Sequence, residues 1–70
     1  MELIHETIRT RRKELDLTQG DLADLAQVSE RFVRSVEAGK DTVRVDKLRA
    51  VLAVLGLELA TVVHVPDALK

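Results

Sequence analysis

Four polar side chains, Ser29, Glu30, Arg31 and Arg34, lie within six consecutive residues and are of the types that contact base edges in DNA. Arginine can donate two hydrogen bonds to guanine, and glutamate can accept one from cytosine. Glu30 and Arg34 are also spaced i, i+4, which on a helix forms an ordinary solvent-exposed ion pair. The residue types alone therefore leave two interpretations open, a DNA-contacting helix or a solvated face, and slightly favour the solvated face.

The stretch from Thr18 to Gly39 predicts two short helices, Gln19–Ala26 and Glu30–Glu37, joined by a tight turn. Thr18 and Ser29 are residue types that favour N-caps, and Gly39 can end the second helix in a left-handed conformation. The two-residue connection suits helices that cross steeply, as in a helix-turn-helix. The residues expected to face the core repeat at helical spacing, and they are Leu22, Ala23, Ala26, Val33 and Val36.

An amphipathic helix is predicted over residues 2–15, and its C-terminal half is basic. The cations suit a helix C-terminus through the helix dipole, and some of them are also placed to contact phosphates. Both roles can hold at once, so neither is excluded. The apolar positions are Leu3, Ile4, Ile8 and Leu15, with Arg11 or Arg12 on the same stripe, and the basic cluster is Arg9, Arg11, Arg12 and Lys13.

A further helix is predicted over residues 45–55. Its apolar residues recur at helical spacing, unlike those of the segment that follows. Asp46 lies in its first turn, where a carboxylate is favoured, and Gly56 can end it. The polar connection 40–43 precedes it, and the following segment, 57–65, alternates and is rich in β-branched residues. The apolar stripe of the helix comprises Leu48, Val51, Leu52 and Leu55.

The segment 57–65 is predicted to be a β-strand that Pro66 ends. Because the sequence holds no second strand, an unpaired strand would leave its backbone groups unsatisfied. Pairing with the same strand of a second copy gives a two-fold homodimer with an antiparallel ribbon. The alternative is a frayed tail. The residues predicted to share one face of this dimerisation strand are Leu57, Leu59, Thr61, Val63 and Val65.

Composition limits the protein to one small domain without cysteine chemistry, because the chain has 70 residues and no cysteine. We predict a domain over 1–56, the strand over 57–65 and a flexible tail over 66–70. The net charge of −1 argues against a nucleic-acid partner, although ten of the eleven Lys and Arg residues lie between Arg9 and Arg49. No secretion signal, membrane span, cofactor motif or catalytic constellation is evident. A cytoplasmic, non-enzymatic protein is expected.

The run LTQGDLADLAQVSERFVRSVEAGK resembles the Xre group of helix-turn-helix regulators, which has the lambda-repressor-like fold. The longer run that continues through VRVDKLRAVLAVLGLEL is similar to the HipB-type antitoxins within that group. The resemblance covers roughly residues 8–63. It implies a mainly α bundle of four or five helices, plus a C-terminal strand that pairs across a homodimer.

The resemblance also implies a function and a set of DNA contacts. Such proteins repress their own operon by binding palindromic operator DNA as dimers, and a HipA-like serine/threonine kinase toxin is the expected partner. Nucleoid association would follow from that role. Stand-alone or phage-type regulators, and an adaptor that has lost DNA binding, are the alternatives. The candidate DNA-binding residues are Thr18, Gln19, Ser29, Glu30, Arg31, Arg34, Lys40 and Arg44.

Three positions depart from the pattern of that group. Gln27 stands where the turn usually has glycine, and a positive φ there would cost on the order of 1 kcal/mol. Phe32 replaces a small polar residue, and packing is preferred over contact with a thymine methyl group because a lone aromatic in a small domain is usually buried. Glu30 repels phosphate, so it requires a cytosine or a neighbouring arginine.

Overall fold

A computed structural model describes residues 4–40 and 42–60, most of which belong to α-helices. The four helices of these ranges are α1 (Ile4–Glu14), α2 (Gln19–Ala26), α3 (Glu30–Glu37) and α4 (Val45–Val54). The predicted bounds of α2 and α3 are confirmed. Helix α1 ends one residue before the predicted end, and so does α4, whose C-cap is Leu55.

A single aliphatic core joins the four helices, with α2 packed against both α3 and α4, and α1 against α3. The core-facing positions predicted for α2, α3 and α4 are all buried. The prediction for Leu15 is wrong, because its side chain is 39% exposed. Helix α1 ends at Glu14, so Leu15 leaves the helical stripe, while Arg12 turns inward. The buried core comprises Ile8, Leu22, Ala23, Ala26, Val33, Val36, Leu48, Val51, Leu52 and Leu55.

The N-termini of α2 and α3 are capped as the sequence predicts. The Thr18 hydroxyl accepts a hydrogen bond from the Asp21 N–H at 3.0 Å, and the Asp21 carboxylate accepts one from the Thr18 N–H at 2.9 Å. The Ser29 hydroxyl accepts from the Phe32 N–H at 3.0 Å. These bonds satisfy helix-end donors that would otherwise lack partners. They fix where each helix starts, and so which residues of α3 face outward.

All four described helices end with a left-handed residue at positive φ, followed by an immediate change of direction. These residues are Asp16 and Gln27, each at φ 59, Gly39 at φ 85 and Gly56 at φ 73. After each helix, paired backbone hydrogen bonds return to the last turn, as in a Schellman motif. The predicted caps at Gly39 and Gly56 are confirmed. Gln27 does adopt the positive φ that carries a cost for a side chain.

The C-terminal part of the described chain, residues 57–60, forms neither helix nor strand. Leu57 packs against the core, whereas Leu59 is 46% exposed. Thr61, Val63 and Val65 of the predicted strand lie outside the described residues. Pairing with a second copy therefore stays a prediction. Within residues 4–40 and 42–60, no helix is long and apolar enough to cross a membrane.

Candidate nucleic-acid interface

Helix α3 separates an apolar face from a polar face. Val33 and Val36 are buried against the core, whereas the side chains of Glu30, Arg31 and Arg34 are exposed. The spacing predicts this separation, because positions three and four apart share one side of a helix. Helix α3 therefore presents the Glu30 carboxylate and the Arg31 guanidinium to solvent in its first turn, next to the exposed N-cap Ser29. It presents the Arg34 guanidinium to solvent in its last turn.

Glu30 and Arg34 form the ion pair that their spacing allows, with 3.6 Å between Glu30 Oε2 and Arg34 Nη1. Their side chains are 52% and 59% exposed, so water screens the pair and a ligand can reach both groups. The other carboxylate oxygen points toward α2: a Cβ added to Gly20 would lie 3.3 Å from Glu30 Oε1. The carboxylate is thus held between Arg34 and the first turn of α2.

Phe32, the sole aromatic residue of the sequence, packs against the core rather than standing free on the polar face. It is half-buried, and the Lys47 ammonium lies 5.9 Å from the centroid of its ring. That distance is at the outer limit of a cation–π contact. The preference for packing is confirmed, and Phe32 links α3 to α4.

Gln19, the first residue of α2, is positioned by a hydrogen bond across the helix pair. Its Nε2 donates to Glu37 Oε1 at 3.2 Å, and the side chain is half-buried. An amide donates through its nitrogen and accepts through its oxygen. The bond to Glu37 therefore occupies the Gln19 nitrogen and not the Gln19 oxygen. Thr18 beside it is exposed and uses its hydroxyl in the α2 cap.

A buried ion pair lies beneath Gln19, between α1 and the last turn of α3. Arg12 Nε and Nη2 donate to Glu37 Oε2 at 2.6 Å and to Oε1 at 3.0 Å, and Arg12 Nη1 donates to the Leu17 carbonyl at 2.8 Å. Arg12 is 8% exposed and Glu37 9%. Burial by itself raises the pKa of Glu37, but the hydrogen bonds from Arg12 and Gln19 and nearby positive charges lower it below its ordinary value.

Of the two arginines predicted as alternatives on the apolar stripe of α1, Arg12 is the one that is buried, and its guanidinium lies inside the domain rather than at a position to contact phosphates. Arg11 is also engaged, with Nε donating to the Leu55 carbonyl at 2.9 Å. Sequence analysis had offered no partner for Glu37. The signal that was available is the helical register: Arg12 lies four residues after Ile8, the most buried residue of α1.

Arg9 was assigned no individual role by the sequence, yet it lies at the rim of the interface. A surface depression is lined by Arg9 of α1, Gln19 of α2, Arg34 of α3 and the C-cap residue Ala38, together with the buried Arg12 and Glu37. Arg9 is exposed. Two exposed guanidinium groups and the start of α2 therefore border the same depression. Their positive charge can attract an anion such as a phosphate.

Lys40 and Arg44 lie in the connection after α3, away from its first turn along the chain. Both are exposed. Arg44 is the N-cap of α4 without a side-chain capping bond, and its guanidinium bonds the Asp46 carboxylate at 2.8 and 3.1 Å. That bonding lowers the pKa of Asp46. In the described ranges, no group of three or more His, Asp or Glu side chains is placed to hold a metal ion.

Comparison with known proteins agrees with this arrangement. Residues 8–62 match a family described as helix-turn-helix. The chain is similar to an uncharacterized HTH-type transcriptional regulator, y4mF, from Sinorhizobium fredii (strain NBRC 101917 / NGR234). The two are 42% identical over 52 residues, which cover 74% of this chain and 68% of the relative. The capped α2–α3 pair, its left-handed turn and the family match over most of the chain together show that this protein belongs to the helix-turn-helix family.

Proposed function

We propose that the protein is a sequence-specific DNA-binding transcriptional repressor that inserts α3 into the major groove. The observation that carries the proposal is the two-faced α3, with Val33 and Val36 in the core and Glu30, Arg31 and Arg34 exposed. An α-helix fits the major groove, where each base pair presents its own set of donors and acceptors. The kinship with a protein named as a transcriptional regulator supports the same role.

Contacts to the phosphate backbone would set the register of α3 in the groove. Thr18, Gln19 and the backbone N–H groups at the start of α2 are placed beside the depression that Arg9 and Arg34 line. Lys40 and Arg44 would extend these contacts along the DNA from the far end of α3. Arg31 and Arg34 would supply most of the base contacts, together with Ser29 and Glu30.

A homodimer would present two copies of α3 to a palindromic operator. Residues 57–65 are proposed to pair across the dimer, on the basis of their alternating pattern. The two half-sites should then be about 34 Å apart, or a multiple of that distance. Light scattering at micromolar concentration should give a dimeric mass for the full chain, and deletion of residues 57–65 should give a monomeric one. A monomeric full chain would refute the dimer.

The role of antitoxin to a HipA-like kinase is supported by the resemblance of the longer run, which extends through LGLEL. We propose that the repressor binds such a kinase and represses the operon that encodes both. Co-purification from cells that express the adjacent gene, followed by binding of the complex to the upstream DNA, tests this role. A stand-alone regulator would bind that DNA without retaining a kinase.

The net charge of −1 favours a second candidate function, a protein–protein adaptor with the same fold. The two functions differ in salt dependence. A DNA-binding domain releases counterions, so its affinity falls steeply as salt rises. An adaptor would give no enriched sequence when the protein is used to select from a library of randomised duplexes.

Arg31→Ala provides the sharpest test of the proposed function. Loss of a guanidinium that contacts a base should weaken binding to the selected duplex by about 1–3 kcal/mol and relax the preference at one base pair. Gel-shift titrations on the selected duplex and on random duplex measure both quantities. Arg49→Ala, which removes an exposed charge from α4, is the matched control. Equal losses on selected and random DNA would contradict the role of Arg31 in base contact.

A further inference from the structure

Glu30 places a negative charge in the first turn of the helix that is proposed to enter the groove. Phosphates repel a carboxylate, and the chain already carries a net charge of −1. A solvated acid at this position would only weaken binding. The position of its two oxygens gives it another use.

The Glu30 carboxylate and the Arg34 guanidinium present an acceptor and donors side by side. Glu30 Oε2 is 3.6 Å from Arg34 Nη1, and both side chains are more than half exposed. Across the major groove edge of a C·G pair, cytosine N4 donates next to guanine O6, which accepts with N7. The Glu30 carboxylate can thus accept from cytosine N4 while the Arg34 guanidinium beside it donates to guanine O6 or N7.

Gly20 leaves room for the Glu30 carboxylate beside the first turn of α2. A Cβ at Gly20 would be 3.3 Å from Glu30 Oε1, so the absence of a side chain there lets the carboxylate rest against the first turn of α2. One carboxylate oxygen therefore lies near Gly20 of α2 and the other lies beside Arg34. Partial positive charge at the start of α2 favours this placement.

We propose that Glu30 and Arg34 act as one unit that selects a C·G base pair in each half-site, with Glu30 accepting from cytosine N4 and Arg34 donating to guanine. This inference rests on the proposed DNA-binding function and specifies the base pair that it recognises. On DNA that places no donor opposite Glu30, the Glu30 charge faces phosphates without a compensating hydrogen bond. Glu30 therefore lowers affinity for non-cognate DNA while it raises discrimination.

The variant Glu30→Gln separates these two effects, because it removes the charge and keeps the length of the side chain. We expect it to bind random duplex about threefold to tenfold more tightly than the wild type, since a charge that opposes phosphate is lost. Glutamine can also donate, so its preference for a cytosine donor should fall. Replacement of the selected C·G pair by T·A should cost the wild type about tenfold and the variant less than about threefold.

Two matched variants make the test specific. Asp24→Asn removes the same charge from an exposed position on α2 and should leave the preference for every base pair unchanged. Gly20→Ala keeps the Glu30 charge but crowds its oxygen, so it should reduce the C·G preference without tightening binding to random duplex. Fluorescence anisotropy at fixed salt gives all of these affinities.

The experiment uses the full chain and the duplex that the wild type selects from a randomised library. The proposal is supported if the selected half-site contains a C·G pair and only the variants Glu30→Gln and Gly20→Ala lose the preference for that pair. Unchanged preference of Glu30→Gln at every C·G pair, or unchanged affinity for random duplex, would overturn it while leaving DNA binding intact. A wild-type selection that enriches no sequence would refute the proposed function itself, and the inference with it.

Discussion

Two arginine–glutamate pairs in the same small domain have opposite surroundings. Arg12 and Glu37 are joined by two hydrogen bonds of 2.6 and 3.0 Å and are nearly excluded from solvent. Arg34 and Glu30 approach to 3.6 Å and are each more than half exposed. The buried pair also bonds Gln19 and the Leu17 carbonyl, so each of its two members has a further partner within the protein.

The difference shows that the same arginine–glutamate ion pair can stabilise the fold where it is buried and can contact a ligand where it is exposed. In the interior, charges attract strongly but also lose their hydration, so removal of one partner leaves a costly uncompensated charge. At the surface, solvent screens the pair, and its two partners can separate or turn toward a ligand at little cost. We therefore expect the buried pair to determine stability and the exposed pair to determine binding.

Glu37→Ala should have the largest effect, because it leaves the Arg12 guanidinium buried without a counter-charge. The expected loss is about 3–5 kcal/mol of unfolding free energy, which is a large part of the stability of a small domain. Urea denaturation followed by circular dichroism measures it. The double variant Arg12→Met with Glu37→Leu, which removes both charges, should be less destabilised than Glu37→Ala. A loss below about 1 kcal/mol for Glu37→Ala would show that the buried pair is not structural.

Acidification tests the same pair without mutation. The pKa of Glu37 is lower in the folded protein than its ordinary value, which the unfolded chain adopts. Its contribution is then fully present above the unfolded pKa of about 4.3 and is lost as pH falls through the folded pKa. The unfolding free energy should fall below about pH 5. A carboxyl titration by nuclear magnetic resonance in which the midpoint of Glu37 lies above the ordinary pKa of glutamate would contradict this.

The turn between α2 and α3 offers a smaller effect on the free energy of unfolding, with the opposite sign. Gln27 is held at φ 59, where a side chain is strained, so Gln27→Gly should stabilise the domain by about 0.5–1 kcal/mol after the entropy cost of glycine in the unfolded chain. Gly39→Ala is the converse control. Its Cβ would make only an ordinary 3.6 Å contact with His5, so a destabilisation of about 1 kcal/mol would come from its φ of 85. Thermal unfolding of both variants measures these shifts.

The smallest effect on stability is expected at the exposed pair. Glu30→Ala should change the unfolding free energy by less than about 0.5 kcal/mol, as for other solvent-exposed i, i+4 pairs. The same urea titration used for Glu37→Ala gives the comparison directly. A loss at Glu30 equal to that at Glu37 would remove the distinction between the two pairs.

Local signals in the sequence predicted most of the fold. Thr18 and Ser29 start α2 and α3 as expected, and Gly39 and Gly56 end α3 and α4. These features depend on hydrogen bonds and dihedral angles within a few residues, so the sequence carries them directly. The exposed residues at the start of α3 followed from helical spacing in the same way.

Contacts between helices set the limit of that prediction. Leu15 was expected on the apolar stripe of α1 but is exposed, whereas Arg12, expected there as an alternative to Arg11, is buried. The partner of Arg12 is Glu37, 25 residues further along the chain. No local pattern encodes such a distance. The position of Gln19 depends on the same pair, since its amide bonds Glu37.

The sequence by itself determined the bounds of α2 and α3, their N-caps and the polar face of α3, because each depends on neighbours in the chain. The tertiary structure decided which of two chemically similar pairs is buried, because burial depends on which helices pack together. It also placed Arg9 beside Gln19 and Arg34, and Glu30 against Gly20. Those two juxtapositions bring three helices to one surface, which residue order alone does not show.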